Sequence, residues 1–105
     1  MQKQRAIRLK KIRDSARGQE CQANTPYCNH DSDTVVLCHY GTAGEKGMGL
    51  KPSDTSAAYC CSGCHDWLDM RTQSGVALES QDREYYWFRA MRRTWALLVA
   101  NGVLK

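Results

Sequence analysis

Large apolar side chains recur at steps of three and four residues in the last quarter of the chain, which predicts an amphipathic helix over about residues 81–100. Asn101 and Gly102 supply the signal that ends this helix. Three arginines of the same segment lie mostly off the apolar line. The stripe that we expect to face the core consists of Tyr85, Phe88, Met91, Trp95 and Leu98.

The middle of the chain shows a strand pattern. A β-branched and apolar run over residues 34–40 predicts a short strand, and residues 57–60 can form a second strand that returns beside it. Four glycines between positions 41 and 49 predict a flexible connection. Together these segments predict a loose β-hairpin.

Two further helices and a loop complete the predicted elements. Residues 2–17 contain no glycine or proline and predict a weakly amphipathic helix, for which Gly18 is a suitable C-terminal cap. The turn-forming residues of 19–34 predict a structured loop. A helix of two or three turns is expected from Ser62 to near residues 74–75.

Length and composition indicate one small domain. The chain has 105 residues, of which 42% are hydrophobic and 25% charged, and this balance excludes a disordered tail. We expect a single α+β domain over residues 1–105. It would consist of a basic arm over 1–18, a core over 19–75 and a C-terminal helix over 80–101.

Neither a membrane span nor a signal peptide is expected. No apolar run approaches the roughly 20 residues that a transmembrane helix needs, and Met1 is followed directly by polar and basic residues. We therefore expect no membrane partner and a cytoplasmic location. In that reducing environment the six cysteines would be thiols or metal thiolates.

Charge is unevenly distributed along the chain. Residues 1–17 carry seven basic side chains and one acidic, a net of +6. Residues 18–80 carry three basic and eight acidic, a net of −5, and residues 81–105 carry five basic and two acidic, a net of +3. This pattern indicates a polyanionic partner that approaches the basic ends, although a solvated charged helix would show it too.

Four cysteines form two pairs with metal-ligand spacing. Cys21 and Cys28 are separated by six residues, and Cys61 and Cys64 by two. Two such pairs around a hairpin are typical of a structural zinc site, and the arrangement predicts a treble-clef fold. Buried apolar cysteines or a disulfide framework are the alternatives. Cys60 could replace Cys61 as a ligand, but Cys61 gives the tighter motif.

Two histidines suggest a second chemistry next to the zinc site. His39 ends the first predicted strand, and His65 follows Cys64 at the start of a helix, which is the layout of a ββα-metal, or HNH-type, nuclease centre. His39 could act as the general base, while His65 and Asp69 could hold a divalent cation such as magnesium. Alternatively, His39 is a half-buried strand residue, and His65 is exposed or replaces a zinc ligand.

The central residues resemble a known family, the YbcO-like proteins of lambdoid phages and prophages, described as nucleases of HNH-like fold. The resemblance is carried by SARGQECQ, CNHDSDTVVLCHYGTAG and GLKPSDTSAAYCCSGCHDWLDMRT and covers roughly residues 13–100. Compared with the wider HNH pattern, Cys38 replaces the usual acidic residue, and no asparagine occupies the middle position, for which Asp54 is the nearest polar candidate.

The resemblance implies a zinc-stabilised ββα-metal domain that cuts DNA in phage recombination or replication, in the cytoplasm of a bacterial host. It implies His39 as the general base and His65 as a ligand of the catalytic metal. It also implies that the structural zinc is bound by Cys21, Cys28, Cys61 and Cys64.

We expect basic side chains to hold the DNA backbone without reading sequence, at Arg13, Arg17, Lys46 and Lys51. Two other functions fit the same residues. One is a non-catalytic zinc module that binds nucleic acid or a protein. The other is a structural zinc adaptor that self-associates through its C-terminal helix.

Overall fold

The computed structural model describes residues 7–40 and 53–104. They form an α+β domain with one two-stranded sheet and four α-helices. The elements are α1 (Lys10–Ser15), a 3-10 turn (Ser32–Thr34), β1 (Val36–His39), β2 (Ala57–Cys60), α2 (Ser62–Leu68), α3 (Gln73–Ala77) and α4 (Ser80–Ala100). The glycine-rich connection predicted between the strands lies outside the described residues.

The predicted hairpin is confirmed. Strands β1 and β2 pair antiparallel, with Val36 opposite Cys60 and His39 opposite Ala57. Because side chains alternate along a strand, Cys38 and His39 point to opposite faces of the sheet. An isolated two-stranded sheet is only marginally stable in water, so this sheet depends on the elements that pack against it.

The C-terminal helix packs directly on β2. No glycine or proline interrupts α4, whose bounds agree with the predicted 81–100 within one residue. The buried Thr94 hydroxyl accepts a hydrogen bond from the Tyr59 backbone N–H at 3.0 Å and donates one to the Ala90 carbonyl at 2.8 Å. The largest fully buried side chains of the described residues include Trp87, Tyr59, Ile12, Leu68 and Leu98, and they belong to the core.

The predicted core-facing stripe of α4 is wrong at three of its five positions. Tyr85, Phe88 and Trp95 remain 57%, 47% and 43% exposed. The face that contacts the core instead contains Trp87, Ala90, Met91, Thr94 and Leu98. The small residues Ala90 and Thr94 let the helix approach β2 closely. The prediction selected the other face because that face carries more large aromatic side chains.

The two shorter predicted helices have different bounds in the structure: the first begins later than predicted, and the second ends earlier. Residues 7–9 are not helical, because the Ile7 carbonyl accepts the Asp54 N–H at 2.7 Å and the Ile7 N–H bonds to the Ser53 hydroxyl at 2.9 Å. The helix from Ser62 ends at Leu68, not near residues 74–75, since Met70 adopts a left-handed backbone with φ of 60°.

Residues 74–75 lie instead within α3. The Gly75 backbone passes so close to the Trp67 carbonyl that an added Cβ would overlap it. This close approach holds the short α3 against the end of α2.

No helix within residues 7–40 and 53–104 combines the length and the apolar character that crossing a membrane requires.

We predict that Thr94→Val lowers the free energy of unfolding by about 1–3 kcal/mol, because the buried Tyr59 N–H loses its acceptor. Chemical denaturation of both proteins measures the difference. Thr94→Ser keeps the hydroxyl and serves as the matched control. A smaller loss in Thr94→Val than in Thr94→Ser would contradict the assignment.

Candidate functional site

Four sulfur atoms meet at one point of the domain. The Sγ atoms of Cys21, Cys28, Cys61 and Cys64 all lie within 4.8 Å of one another. The distance from Cys21 to Cys64 is 3.7 Å, and that from Cys28 to Cys61 is 3.8 Å. Sulfurs at 2.3 Å from a tetrahedral zinc ion are separated by about 3.8 Å. The cluster could therefore hold a metal such as zinc.

Local backbone geometry brings the two cysteine pairs together. Cys61 is the N-cap of α2, and its sulfur accepts the Cys64 N–H at 3.4 Å, so both thiols point to the same side of the helix start. In the other pair, a left-handed Asn24 with φ of 48° reverses the chain before Cys28. An added Cβ on Gly63 would overlap the Tyr27 carbonyl, so only glycine lets the two segments come this close.

Hydrogen bonds around the sulfurs favour a thiolate at Cys21, whereas the bond to Cys21 raises the pKa of Cys64 and burial raises the pKa of Cys28. The Thr25 hydroxyl lies 3.1 Å from the Cys64 sulfur. A hydrogen bond from the Cys64 thiol, assisted by backbone N–H groups, lowers the pKa of Cys21 to about 4 despite its burial. Metal ligation requires thiolates, so a bound cation would displace the protons that the remaining thiols hold.

A second polar group lies at the loop end of the hairpin. His39 is the last residue of β1, and its Nε2 is 2.8 Å from Oδ1 of Asp54, three residues before β2. The Asp54 side chain is fully buried, whereas 23% of the His39 side chain is exposed. One nitrogen of the imidazole is thus fixed by the protein, while the ring remains partly accessible to solvent.

Asp54 also forms hydrogen bonds and ion pairs with the N-terminal segment. Its Oδ2 accepts the Leu9 N–H at 2.6 Å and the Arg13 guanidinium at 2.9 Å. The Arg8 guanidinium lies 3.5 Å from Oδ1, the oxygen that also binds His39. A buried carboxylate is stable only when its charge is compensated, and these groups compensate it.

The ionised form of Asp54 is favoured on balance. Burial by itself raises the pKa of this carboxyl group. The hydrogen bonds from His39 and the Leu9 N–H oppose burial, and the charges of Arg8 and Arg13 add to them. The pKa of Asp54 is therefore lower than its ordinary value of 3.8.

His65 lies in a separate cluster. Its Nε2 is 3.5 Å from Oδ2 of Asp69, and Arg71 approaches the same oxygen to 3.4 Å. Hydrogen bonding to Cys60 lowers the pKa of the buried Cys38 to about 6, and His65 acts in the same direction. The hydrogen bond to Cys38 in turn raises the pKa of His65.

The two histidines do not meet. His65 contacts Cys38, whose neighbour His39 points to the other face of β1. Within the described ranges, no hydrogen bond or ion pair joins His39 to His65. The structure thus presents a His39–Asp54 pair and a Cys38–His65–Asp69 cluster on either side of the end of β1.

The model of a family described as "Putative nuclease YbcO" matches residues 10–103. The chain belongs to the YbcO family. The predicted resemblance is thereby confirmed, and membership supports a nuclease function with nucleic acid as the substrate.

Individual members of the YbcO family align over nearly their whole length. "Putative nuclease YbcO" of Escherichia coli strain K12 is 39% identical over 98 residues, which cover 90% of this chain and 96% of that protein. "Putative nuclease ybcO" of Enterobacteria phage 82 gives the same values.

A solved structure shares the fold. It is described as "Structure of a putative bacteriophage protein from Escherichia coli str. K-12 substr. MG1655". It superposes with a TM-score of 0.71 at 33% identity and covers 88% of this chain and 100% of that chain.

The predicted DNA-contacting residues have different surroundings. Arg13 bonds to the buried Asp54, and Arg17 is exposed beside a groove that Asp33 also lines. Lys46 and Lys51 lie outside the described residues. Cys60 does not join the four-cysteine cluster.

Sequence reasoning named Asp54 only as the nearest polar candidate for the middle position of the HNH pattern, and its pairing with His39 was not predicted. Arg8 and Thr25 were not among the predicted site residues. Arg8 contacts Asp54, which is 46 residues away in sequence, and Thr25 contacts Cys64, which is 39 residues away. No local pattern reports such contacts.

We predict that Cys61→Ser reduces the metal content of the purified protein, because one of four thiolates is lost, whereas Cys60→Ser leaves it unchanged. Mass spectrometry of the metal per chain, after dialysis against a chelator, measures both. Equal metal content in the two variants would refute the ligand set.

A second prediction concerns acid stability. A carboxyl group with a lower pKa in the folded chain stabilises the fold above its ordinary value of 3.8, and that contribution disappears as the pH falls through the lowered pKa. The wild type should therefore be more stable than Asp54→Asn near neutral pH, and the difference should shrink below about pH 4.

Urea denaturation across this pH range measures the effect. Asp14→Asn is the matched control, because Asp14 also pairs with a cation, Lys10 at 2.7 Å, but is exposed. Exposed pairs contribute about 0–1 kcal/mol, so this variant should change little. A pH-independent difference between wild type and Asp54→Asn would contradict the assignment.

Proposed function

We propose that this YbcO-family protein is a metal-dependent DNA endonuclease of the HNH type, built on a zinc-stabilised treble-clef, or ββα-metal, core. The observation that carries the proposal is the partly exposed His39 imidazole held at 2.8 Å by the buried Asp54 carboxylate. A general base needs a fixed orientation together with access to its substrate, and His39 has both.

The His39–Asp54 hydrogen bond defines the role of each ring nitrogen. An ionised carboxylate can only accept, so Nε2 of His39 carries the proton that it donates to Asp54. In the neutral imidazole, Nδ1 then holds the lone pair. This nitrogen would remove a proton from the water that attacks the scissile phosphodiester, and Asp54 acts as a positioning residue that also stabilises the imidazolium.

Two kinds of metal ion belong to the proposal. The four-cysteine cluster would hold a structural zinc, whose binding contributes roughly 10–16 kcal/mol in small domains. His65 and Asp69 would hold a second divalent cation, which would lie on the other side of the end of β1 from His39 and would neutralise charge on the DNA backbone there. With Cys38 beside them, the donors are nitrogen, oxygen and sulfur, a set that suits a transition metal better than magnesium.

The basic residues would bind the DNA backbone. Arg17 and the partly exposed Arg13 flank the N-terminal segment, and Lys46 and Lys51 would add contacts from the connection between the strands. Such contacts are independent of sequence and weaken with salt. Together with the phage relative, they support a role on DNA in phage recombination or replication inside the bacterial host.

We predict that His39→Ala lowers the rate of plasmid cleavage by about 10²–10⁴-fold, the usual contribution of a general base. Supercoiled plasmid is incubated with the zinc-loaded protein and added divalent cations, and nicked product is quantified over time. His30→Ala is the matched control, because His30 is an exposed histidine without a contact to Asp54 or His65. Its Nδ1 lies 3.7 Å from the Cys28 sulfur, so the metal content of this variant is measured before the rates are compared.

Equal cleavage by wild type and His39→Ala would refute the catalytic assignment and favour the non-catalytic zinc module. Asp54→Asn should retain part of the activity and change its pH profile, since a neutral amide no longer stabilises the imidazolium. A purely structural role of Asp54 would leave that profile unchanged.

A further inference from the structure

A line of exposed side chains runs along α4, and we call it the outer stripe. It contains Tyr85, Phe88, Arg92, Trp95 and Val99, which follow one another at steps of three and four residues. Side chains at this spacing lie on one face of a helix. The four apolar members remain between 43% and 61% exposed. Three aromatic residues on one helix face thus keep 43% to 57% of their surface exposed to solvent.

The charge of α4 indicates which kind of partner suits this surface. Four arginines lie in α4, whose two acidic residues, Asp82 and Glu84, both precede Tyr85, so residues 85–100 carry three arginines and no acidic residue. Arg92 lies within the outer stripe, and Arg93 beside it is also exposed. Arg89 is partly buried and bonds to the Ala23 carbonyl at 2.6 Å. The exposed face is thus aromatic and positively charged, and it complements a polyanion that carries flat rings.

The outer stripe is attached to the hairpin end that carries the His39–Asp54 pair. The Phe88 ring lies 5.5 Å, between centroids, from Tyr40, the residue that follows His39. The Trp95 indole donates a hydrogen bond of 2.9 Å to the carbonyl of Thr55, the residue that follows Asp54. A strand bound along the outer stripe would therefore run to the same end of the hairpin that carries the His39–Asp54 pair.

We propose that the outer stripe binds single-stranded nucleic acid, with unpaired bases stacked on Phe88, Trp95 and Tyr85 and the backbone held by Arg92. Bases in a duplex are stacked on each other and cannot use such rings, whereas bases in a single strand can, at about 1–3 kcal/mol per base. The substrate of the proposed nuclease is then DNA that contains unpaired bases next to the cleavage point. This substrate assignment rests on the proposed function, while the binding surface does not.

A second copy of the chain is the competing occupant. Two copies that pair through the outer stripe in register would bury Arg92 and Arg93 with the same arginines, and only a pairing shifted along the helix would bring them to Asp82 or Glu84 at the start of α4. Like charges that are buried together oppose association. The observations therefore favour nucleic acid, and self-association becomes an outcome of the test.

The test compares affinities for two ligands of about 16 nucleotides, a thymidine single strand and a blunt duplex. Fluorescence anisotropy is measured with zinc-loaded protein in a His39→Ala background, so that no ligand is cut. We expect Phe88→Ala and Tyr85→Ala each to weaken single-strand binding by about 5- to 150-fold and to leave duplex binding nearly unchanged. Arg92→Ala should reduce the salt dependence of binding.

Two further variants separate stacking from folding. Trp95→Phe loses the hydrogen bond to Thr55 but keeps a ring, so it should bind a single strand far better than Trp95→Ala. Val76→Ala is the control, because Val76 is 64% exposed on α3 and lies outside the outer stripe. Circular dichroism confirms that each variant is folded.

Equal losses for the single strand and the duplex, or no loss in the ring variants, would overturn the proposal. A concentration-dependent dimer that Phe88→Ala abolishes, without selective single-strand binding, would assign the outer stripe to a second copy. Tight single-strand binding by a protein that never cleaves plasmid would refute the nuclease function and leave this surface intact.

Discussion

The four-cysteine cluster is the constraint on which the rest of the domain depends. A two-stranded sheet cannot sustain itself in water, and a chain of this size buries a limited core. The cluster joins the loop before β1 to the start of α2, so it fixes both ends of the hairpin region at once. The loop is also bonded to β2 through the Gln22 N–H and the Tyr59 carbonyl at 2.8 Å. The sheet, the loop and α2 therefore form one unit.

A second constraint comes from the buried Asp54 carboxylate. It attracts two arginines and a backbone N–H of the N-terminal segment, and it holds His39 at the same time. The basic arm is thus bound to the domain by the same charge that orients the imidazole. The placement of the N-terminal segment and that of the histidine are linked through one side chain.

Much of this architecture could be predicted from local patterns. The hairpin follows from the β-branched run, and α4 from its uninterrupted helical periodicity. The buried face of α4 could not be predicted by hydrophobicity, because the polar Thr94 faces the core to satisfy a backbone N–H of β2, while Trp95 stays exposed. The face of α4 that is buried is the one whose small residues allow the helix to pack closely on β2.

The features that could not be predicted from local sequence patterns are contacts between segments that are distant in the chain. Residues 7–9 were expected to be helical, yet their backbone groups bond to Ser53 and Asp54, which no helical pattern can reveal. The pairing of His39 with Asp54 is similar, since it spans 15 residues across the connection of the hairpin. Residue types indicated the chemistry of the site, whereas its hydrogen-bond partners required the tertiary fold.

The Arg89 side chain has a wider consequence. It reaches from α4 to the carbonyls of Ala23 and Asn24, inside the turn between Cys21 and Cys28, and it lies over the rings of Tyr85 and Tyr86. The turn that carries two thiols of the four-cysteine cluster is thereby braced by the longest helix within residues 7–40 and 53–104. A metal ion bound by the cluster would therefore be coupled to the position of that helix, and its removal would loosen the far end of the chain as well.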